Sequence, residues 1–158
     1  MRNILVARVD DRLIHGQVMT AWVKSYPINH ILIIDDELEK NKLLVNVYKA
    51  AVPTSIKLSV SNINDGISFL KGDSPIGENL LILAKVPEVF LLLLENDIYF
   101  EKLVVGGMGA KAGRKKLIRN LSASLDEIEC LKKIEKKNVK TIYQMVPADK
   151  EIRLADYF

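Results

Sequence analysis

The stretch that decides the fold is Ile4-Leu5-Val6-Ala7-Arg8-Val9-Asp10-Asp11-Arg12-Leu13-Ile14-His15-Gly16-Gln17-Val18, in which an apolar run feeds eleven residues holding two arginines, two aspartates and one of the chain's two histidines. Ile4 to Ala7 reads as a buried strand and the segment from Gly16 to about Lys24 as a helix. The charged cluster therefore falls at the carboxyl end of a first strand, where open α/β sheets bind ligands. Its residue types suit phosphoryl chemistry. An imidazole with a pKa near 6.5 keeps a large neutral, nucleophilic fraction at neutral pH, at roughly its unperturbed value. Two guanidinium forks match phosphate oxygens, and a helix first turn adds unpaired N–H groups and partial positive charge. The same residues also fit a plain connection into the helix, with Asp10 or Asp11 capping it, the arginines solvated and His15 bonded to a carbonyl.

Working outward, strand and helix signals alternate. His30 to Ile34 is a β-branched apolar run ending at Asp35-Asp36, and Asn41 to Ala51 carries Leu44, Val47, Tyr48 and Ala51 at helical spacing before Pro53 stops it. Ile56 to Val60 is a short strand, and Asn62 caps a helix running through Ile63, Ile67 and Leu70 to Gly72. Leu80 to Ala84 is a continuous apolar run, expected of a strand covered on both faces, and Pro87 opens the next helix. Leu103-Val104-Val105 leads into glycines, Lys116 to Ile118 is an ambiguous strand, and Ser124 with Glu127 makes a capping box for a helix with Leu125, Ile128, Leu131 and Ile134 inward. Val139 to Val146 is a late strand. The expectation is an α/β fold, one domain over residues 1–158, with an open, mostly parallel sheet of about six or seven strands and helices on both faces.

Composition excludes more than it assigns. With 158 residues, 49% hydrophobic and 27% charged, the chain reads as an ordinary globular protein. A net charge of +3 without an aromatic-studded basic stripe does not indicate nucleic-acid binding, although a weakly basic face favours an acidic protein partner. Cys130 is alone, which rules out an internal disulfide, and sits on a helical pattern as a small apolar residue. Two separated histidines and one cysteine offer no close set of soft metal ligands. Apolar runs such as Val89 to Leu94 are far shorter than the roughly twenty residues of a membrane span, and no signal peptide precedes the first strand, so a cytoplasmic protein is expected.

Other candidates carry two readings each. Gly106-Gly107-Met108-Gly109 lets backbone approach a phosphate or makes a tight turn; it is neither a dinucleotide fingerprint nor a P-loop. Asp35 is a helix cap or a hydrogen-bonding member of the site, near His15 by hypothesis. Lys111, Arg114, Lys115 and Lys116 are a solvated basic surface or a dock for an acidic partner. Trp22 and Tyr26 are core and its edge, and His30 is structural.

Arg8 to Val18 closely resembles the signature of the IIB component of the mannose/fructose/sorbose family of the bacterial phosphoenolpyruvate-dependent sugar phosphotransferase system (PTS). The resemblance continues through Asp35-Asp36-Glu37, Ala51-Val52-Pro53 and Val104 to Met108, and so covers essentially the whole chain. It implies a protein-Nπ-phosphohistidine–sugar phosphotransferase without a cofactor, in which His15 carries the phosphoryl group on Nδ1 and Arg12 helps to hold it. Arg8, Asp10, Asp11, Gly16, Asp35, Gly106 and Gly107 would support them. By physical argument Arg12 and Arg8 neutralise the equatorial oxygens while Asp10 or Asp11 orients the imidazole. The implied partners are a IIA donor and membrane IIC and IID components holding the sugar, with peripheral attachment at the membrane and homo-oligomerisation left open. Which sugar is carried, whether mannose, fructose, sorbose or an amino sugar, is not written in these residues. The competing reading is a non-catalytic α/β regulatory or nucleotide-binding module, which predicts no covalent modification.

Overall fold

The computed structural model describes residues 1–158, the side chains of Gln17 and Val18 excepted. The elements run β1 (Ile4–Asp10), α1 (Gly16–Ser25), β2 (His30–Ile34), α2 (Asp36–Lys40), α3 (Lys42–Ala51), β3 (Lys57–Ser61), α4 (Ile63–Lys71), β4 (Leu80–Ala84), α5 (Glu88–Glu95), β5 (Lys102–Gly107), β6 (Lys115–Ile118), β7 (Leu121–Ala123), α6 (Leu125–Lys136), β8 (Lys140–Tyr143) and β9 (Ile152–Arg153), closing in a 3-10 turn at Leu154–Tyr157. A seven-stranded sheet is ordered β3-β2-β4-β1-β5-β8-β9, parallel throughout except at β8–β9, and β6 with β7 forms a separate antiparallel hairpin. This is the expected open, mostly parallel α/β sheet.

The two faces bury two cores. Met19 and Trp22 of α1, Leu38 of α2 and Val45 and Tyr48 of α3 pack on one face with Val6 and Val104. Leu70 of α4, Phe90 and Leu93 of α5 and Leu131 and Ile134 of α6 pack on the other with Ala7 and Val9. Alternating residues of β1 thus face opposite cores, as the two-residue strand period requires. β2 and β4 are buried along their full length, which is why Ile31 to Ile34 and Leu80 to Ala84 are unbroken apolar runs. The chain leaves β1 toward the first face and leaves its neighbours β4 and β5 toward the second. That reversal opens a crevice at the carboxyl end of β1.

The caps follow the sequence. Asn41 and Asn62 accept hydrogen bonds from Leu44 N and Asp65 N, and Ser124 with Glu127 forms both bonds of the capping box. Three features differ from expectation. β1 runs on through Asp10, because Arg8 and Asp10 find partners beside the strand despite breaking the apolar run. The helix expected from Asn41 is preceded by the short α2, capped by Asp35. Leu125, at the first position of α6, is 79% exposed rather than inward, because the capping box turns that first residue outward.

Candidate functional site

Strand alternation sends Arg8 and Asp10 to the face covered by α1. Arg8 is fully buried. Its Nη1 donates to Gln144 O at 2.9 Å, and its Nη2 donates to Met145 O at 3.0 Å and to Asp10 Oδ2 at 3.2 Å. The guanidinium carbon lies 4.9 Å from the Trp22 ring centroid, and Trp22 Nε1 donates to the same Met145 carbonyl at 3.0 Å. Burial pulls the Arg8 pKa down to about 10 against the attraction of Asp10, so it remains a cation at neutral pH.

The space for this guanidinium comes from β5. The β1–β5 register slips by one residue between Val9 and Asp10, opposite Gly106 and Gly107. A Cβ on Gly106 would stand 1.8 Å from Arg8 Nη2, and one on Gly107 would stand 2.6 Å from Asp10 Oδ1. Gly106 and Gly107 therefore do not make a tight turn; they end a strand and leave room for two side chains of the next. Gly106→Ala is expected to lower stability by about 2–3 kcal/mol through overpacking against an immobilised cation. Gly16→Ala, where an added Cβ meets open space, should stay within about 0.5 kcal/mol. Urea midpoints of the two variants check the contrast.

Asp10 is the hub. Its carboxylate accepts from Arg12 N (3.1 Å), Arg12 Nε (3.0 Å), Arg12 Nη2 (3.1 Å), Arg8 Nη2 and His15 Nε2 (3.2 Å). Burial penalises the charge, but the Arg12 hydrogen bonds and the Arg8 charge outweigh it and hold the pKa below the ordinary carboxylate value. An ionised carboxylate only accepts, so the proton of the neutral imidazole sits on Nε2. Nδ1 then carries the lone pair, and it has no hydrogen-bond partner among the described residues.

A turn brings these groups together. Leu13 N–H donates to Asp10 O at 3.0 Å, and Leu13 adopts φ 55°, a left-handed conformation costing a non-glycine residue about 1–2 kcal/mol. Burying its side chain with that of Ile14 on the α1 side offsets the cost, since each such side chain is worth roughly 1.5–3 kcal/mol. Arg12 and His15 are left at the surface, their side chains 43% and 22% exposed. His15 is itself the residue preceding α1, and among the described residues no side chain caps the helix there. The first turn of a helix leaves N–H groups without intrahelical acceptors, the kind of position at which anions bind.

Asp11 points the other way. Its Oδ2 accepts from Gly109 N at 2.8 Å and faces Arg114 Nη1 at 3.5 Å. Arg114 is withdrawn from the basic cluster: its side chain is buried, pairs with both Glu127 oxygens at 2.8 Å and donates to Gly109 O at 2.9 Å, while Lys111, Lys115 and Lys116 stay exposed. Hydrogen bonds from Arg114 and the Ser124 backbone bring the Glu127 pKa below its usual value despite burial. Asp35 caps α2 through Leu38 N at 2.8 Å and approaches Lys85 at 3.5 Å. It lies two strand spacings, about 10 Å, from the end of β1, and its hydrogen bonds do not reach Asp10 or His15.

The plain-connection reading fails on these contacts. Neither aspartate of the loop caps α1, Arg8 is buried, and His15 bonds a carboxylate. The expectation that Arg8 touches the phosphoryl oxygens is also overturned, because both its Nη atoms are committed inside the protein. The sequence reading missed Gln144 and Met145, which serve through backbone carbonyls and so leave no signal in residue type. His30 is buried between Glu78 and Ser59 at 2.8 Å each, and Cys130 is buried with its pKa pushed up to about 12 by desolvation; neither belongs to the site. Among the described residues no three His, Cys, Asp or Glu side chains converge as a metal set.

A family model described as PTS system sorbose subfamily IIB component matches residues 4–158. The chain belongs to that family. This IIB component is 30% identical over 146 residues to the sorbose-specific EIIB component of Lacticaseibacillus casei, spanning 92% of this chain and 89% of the relative. It is 26% identical over 151 residues to the mannose-specific EIIAB component of Escherichia coli, covering 96% of this chain but 47% of that longer protein. Its fold superposes with TM-score 0.92 on the crystal structure of the IIBSor domain of the sorbose permease from Klebsiella pneumoniae, at 26% identity over 98% of this chain and 95% of the other. PTS IIB components are phosphotransferases, and a crevice in which His15 Nδ1 has no hydrogen-bond partner among the described residues fits that general role.

Proposed function

We propose that this IIB component takes a phosphoryl group from a phosphohistidine of a IIA partner onto Nδ1 of His15 and passes it to a sugar held by membrane IIC and IID components. The observation that carries this reading is the Asp10 carboxylate on His15 Nε2, which leaves Nδ1 as the nucleophilic nitrogen. In the first step the Nδ1–P bond forms as the donor's N–P bond breaks, and the electron pair returns to the donor imidazole. In the second the sugar oxygen forms the P–O bond, the pair returns to Nδ1, and the hydroxyl proton leaves to solvent or to a base of the membrane components. Asp10 stabilises the charge that the imidazole gains when it is phosphorylated. Arg12, fixed on Asp10 through Nε and Nη2, keeps Nη1 unpartnered among the described residues and donates it to the phosphoryl oxygens. Arg8, out of reach, positions Asp10.

On this reading residues 1–158 act as one IIB unit, as a protein-Nπ-phosphohistidine–sugar phosphotransferase, in the cytoplasm and peripherally at the transporter. No helix among the described residues is long and apolar enough to cross a membrane. A relative whose name joins IIA and IIB in one chain supports the IIA partner. Relatives named for sorbose, fructose, mannose and N-acetylgalactosamine support recognition of the sugar outside this unit.

The test is incubation with phosphoenolpyruvate and the upstream carriers, followed by intact mass and fragment mapping. One acid-labile phosphoryl group on the fragment holding His15 is expected. No gain with active carriers would overturn the proposal in favour of a non-catalytic α/β regulatory or nucleotide-binding module. Arg12→Ala should slow transfer about a hundredfold, the usual cost of one oriented donor. Its stability should fall by less than about 1 kcal/mol, because its ion pair is partly solvated. Rapid-quench kinetics and a urea titration read the two quantities.

A further inference from the structure

We propose that an exposed apolar stripe on α3, running into the groove beside His15, is the surface on which the phosphorylated IIA donor docks. The inference rests on His15 being the acceptor. α3 packs inward only by Val45 and Tyr48, with Val52 just beyond it, and none of its residues is fully buried. On its outer side Leu43 is 77% exposed and Val47 56% exposed. Leu43, Val47 and Ala51 stand at i, i+4 and i+8 and form one stripe, about 12 Å long at the helical rise. The stripe ends at the reactive histidine: Ala51 and Pro53 form one side of a groove of about 240 Å³ whose other side is Ile14, His15, Gly16 and Met19.

Single exposed apolar residues are unremarkable on a surface, but a continuous stripe leading to a reactive group marks a contact site. Transfer needs the phosphorus about 3–3.5 Å from Nδ1, so the donor's surface must cover the groove. A protein contact of ordinary size, about 800 Å² per partner, is a disc of about 16 Å radius and reaches along the whole stripe. Charge selects the donor over the membrane acceptor. Exposed Lys40, Lys42 and Lys49 rim the stripe. A phosphohistidine brings about two negative charges to that face, whereas a sugar hydroxyl brings none.

The experiment uses Leu43→Asp/Val47→Asp, with Ile76→Asp as control; Ile76 is an exposed apolar residue in the connection before β4, at the amino end of the strands, whereas His15 follows the carboxyl end of β1. With the phosphorylated IIA component of the same transporter as donor, kcat/KM of the double variant should fall about tenfold or more, the effect of an interface hot spot. The control should match wild type. After exhaustive phosphorylation, transfer to sugar in vesicles holding IIC and IID should be unchanged. An unchanged donor step, or a loss equal in both steps or confined to the sugar step, overturns the proposal. If the double variant loses its circular dichroism, Val47→Ser alone carries the same comparison. A wild-type chain that takes no phosphoryl group overturns the reading of His15 instead, so the two failures are distinguishable.

Discussion

His15→Ala is expected to abolish phosphoryl uptake while leaving the fold intact. Among the described residues the side chain makes one hydrogen bond, at 3.2 Å to Asp10, and it is partly exposed. Its removal takes one donor from a carboxylate that keeps Arg8 and Arg12, so the stability cost should be about 1 kcal/mol or less. Activity has no such reserve. The other histidine is buried, with both ring nitrogens engaged by Glu78 and Ser59, and cannot take over as acceptor. The lone cysteine is equally unfit, because burial raises its pKa to about 12 and keeps it a thiol. Intact mass after incubation with the upstream carriers, together with a thermal melt, checks both halves. A variant that still gains a phosphoryl group would place the acceptor elsewhere, and one that melts far below wild type would make His15 a structural residue.

The order of strands and helices was legible because each element advertises itself locally: apolar runs for β2 and β4, helical spacing closed by Pro53 for α3, an asparagine cap for α4, a capping box for α6. The site was legible in outline for the same reason, since so much charge rarely follows an apolar strand without use. Its wiring was not. Asp10 and Asp11 are neighbours of one chemical type, and only the extension of β1 past Ala7 turns Asp10 toward Arg8 and leaves Asp11 to Gly109 and Arg114. Gly106 was visible as a glycine, but the reason for it lies across the sheet, in a guanidinium that fills the space of its missing Cβ. Arg114 looked like one of four surface cations until Glu127, read as a capping residue, proved also to hold it. Such roles depend on which strand lies beside which, a property of the tertiary structure that no window of sequence contains.

That wiring makes Asp10→Ala the variant with the largest expected loss of stability. It strands Arg8, which has no exposed area and whose Nε already lacks a partner, without its counter-charge. Removing one member of a buried ion pair costs about 3–5 kcal/mol, because the remaining charge stays desolvated. Asp10→Asn keeps the shape and some hydrogen bonds but not the charge, and should fall between wild type and alanine. The pH dependence gives a second reading. The folded-state pKa of Asp10 is lowered, so at moderately acid pH the unfolded chain binds this proton more readily than the folded one. Its stabilisation is complete above the unfolded carboxyl pKa of about 3.9 and is lost as pH falls through the lower folded value. The alanine variant should therefore be less stable than wild type at neutral pH by the full amount, and the gap should narrow below about pH 4. Urea titrations of both proteins from neutral pH downward decide it. A gap that does not narrow would mean that Asp10 acts through packing rather than charge, and the tautomer of His15 would then need another cause.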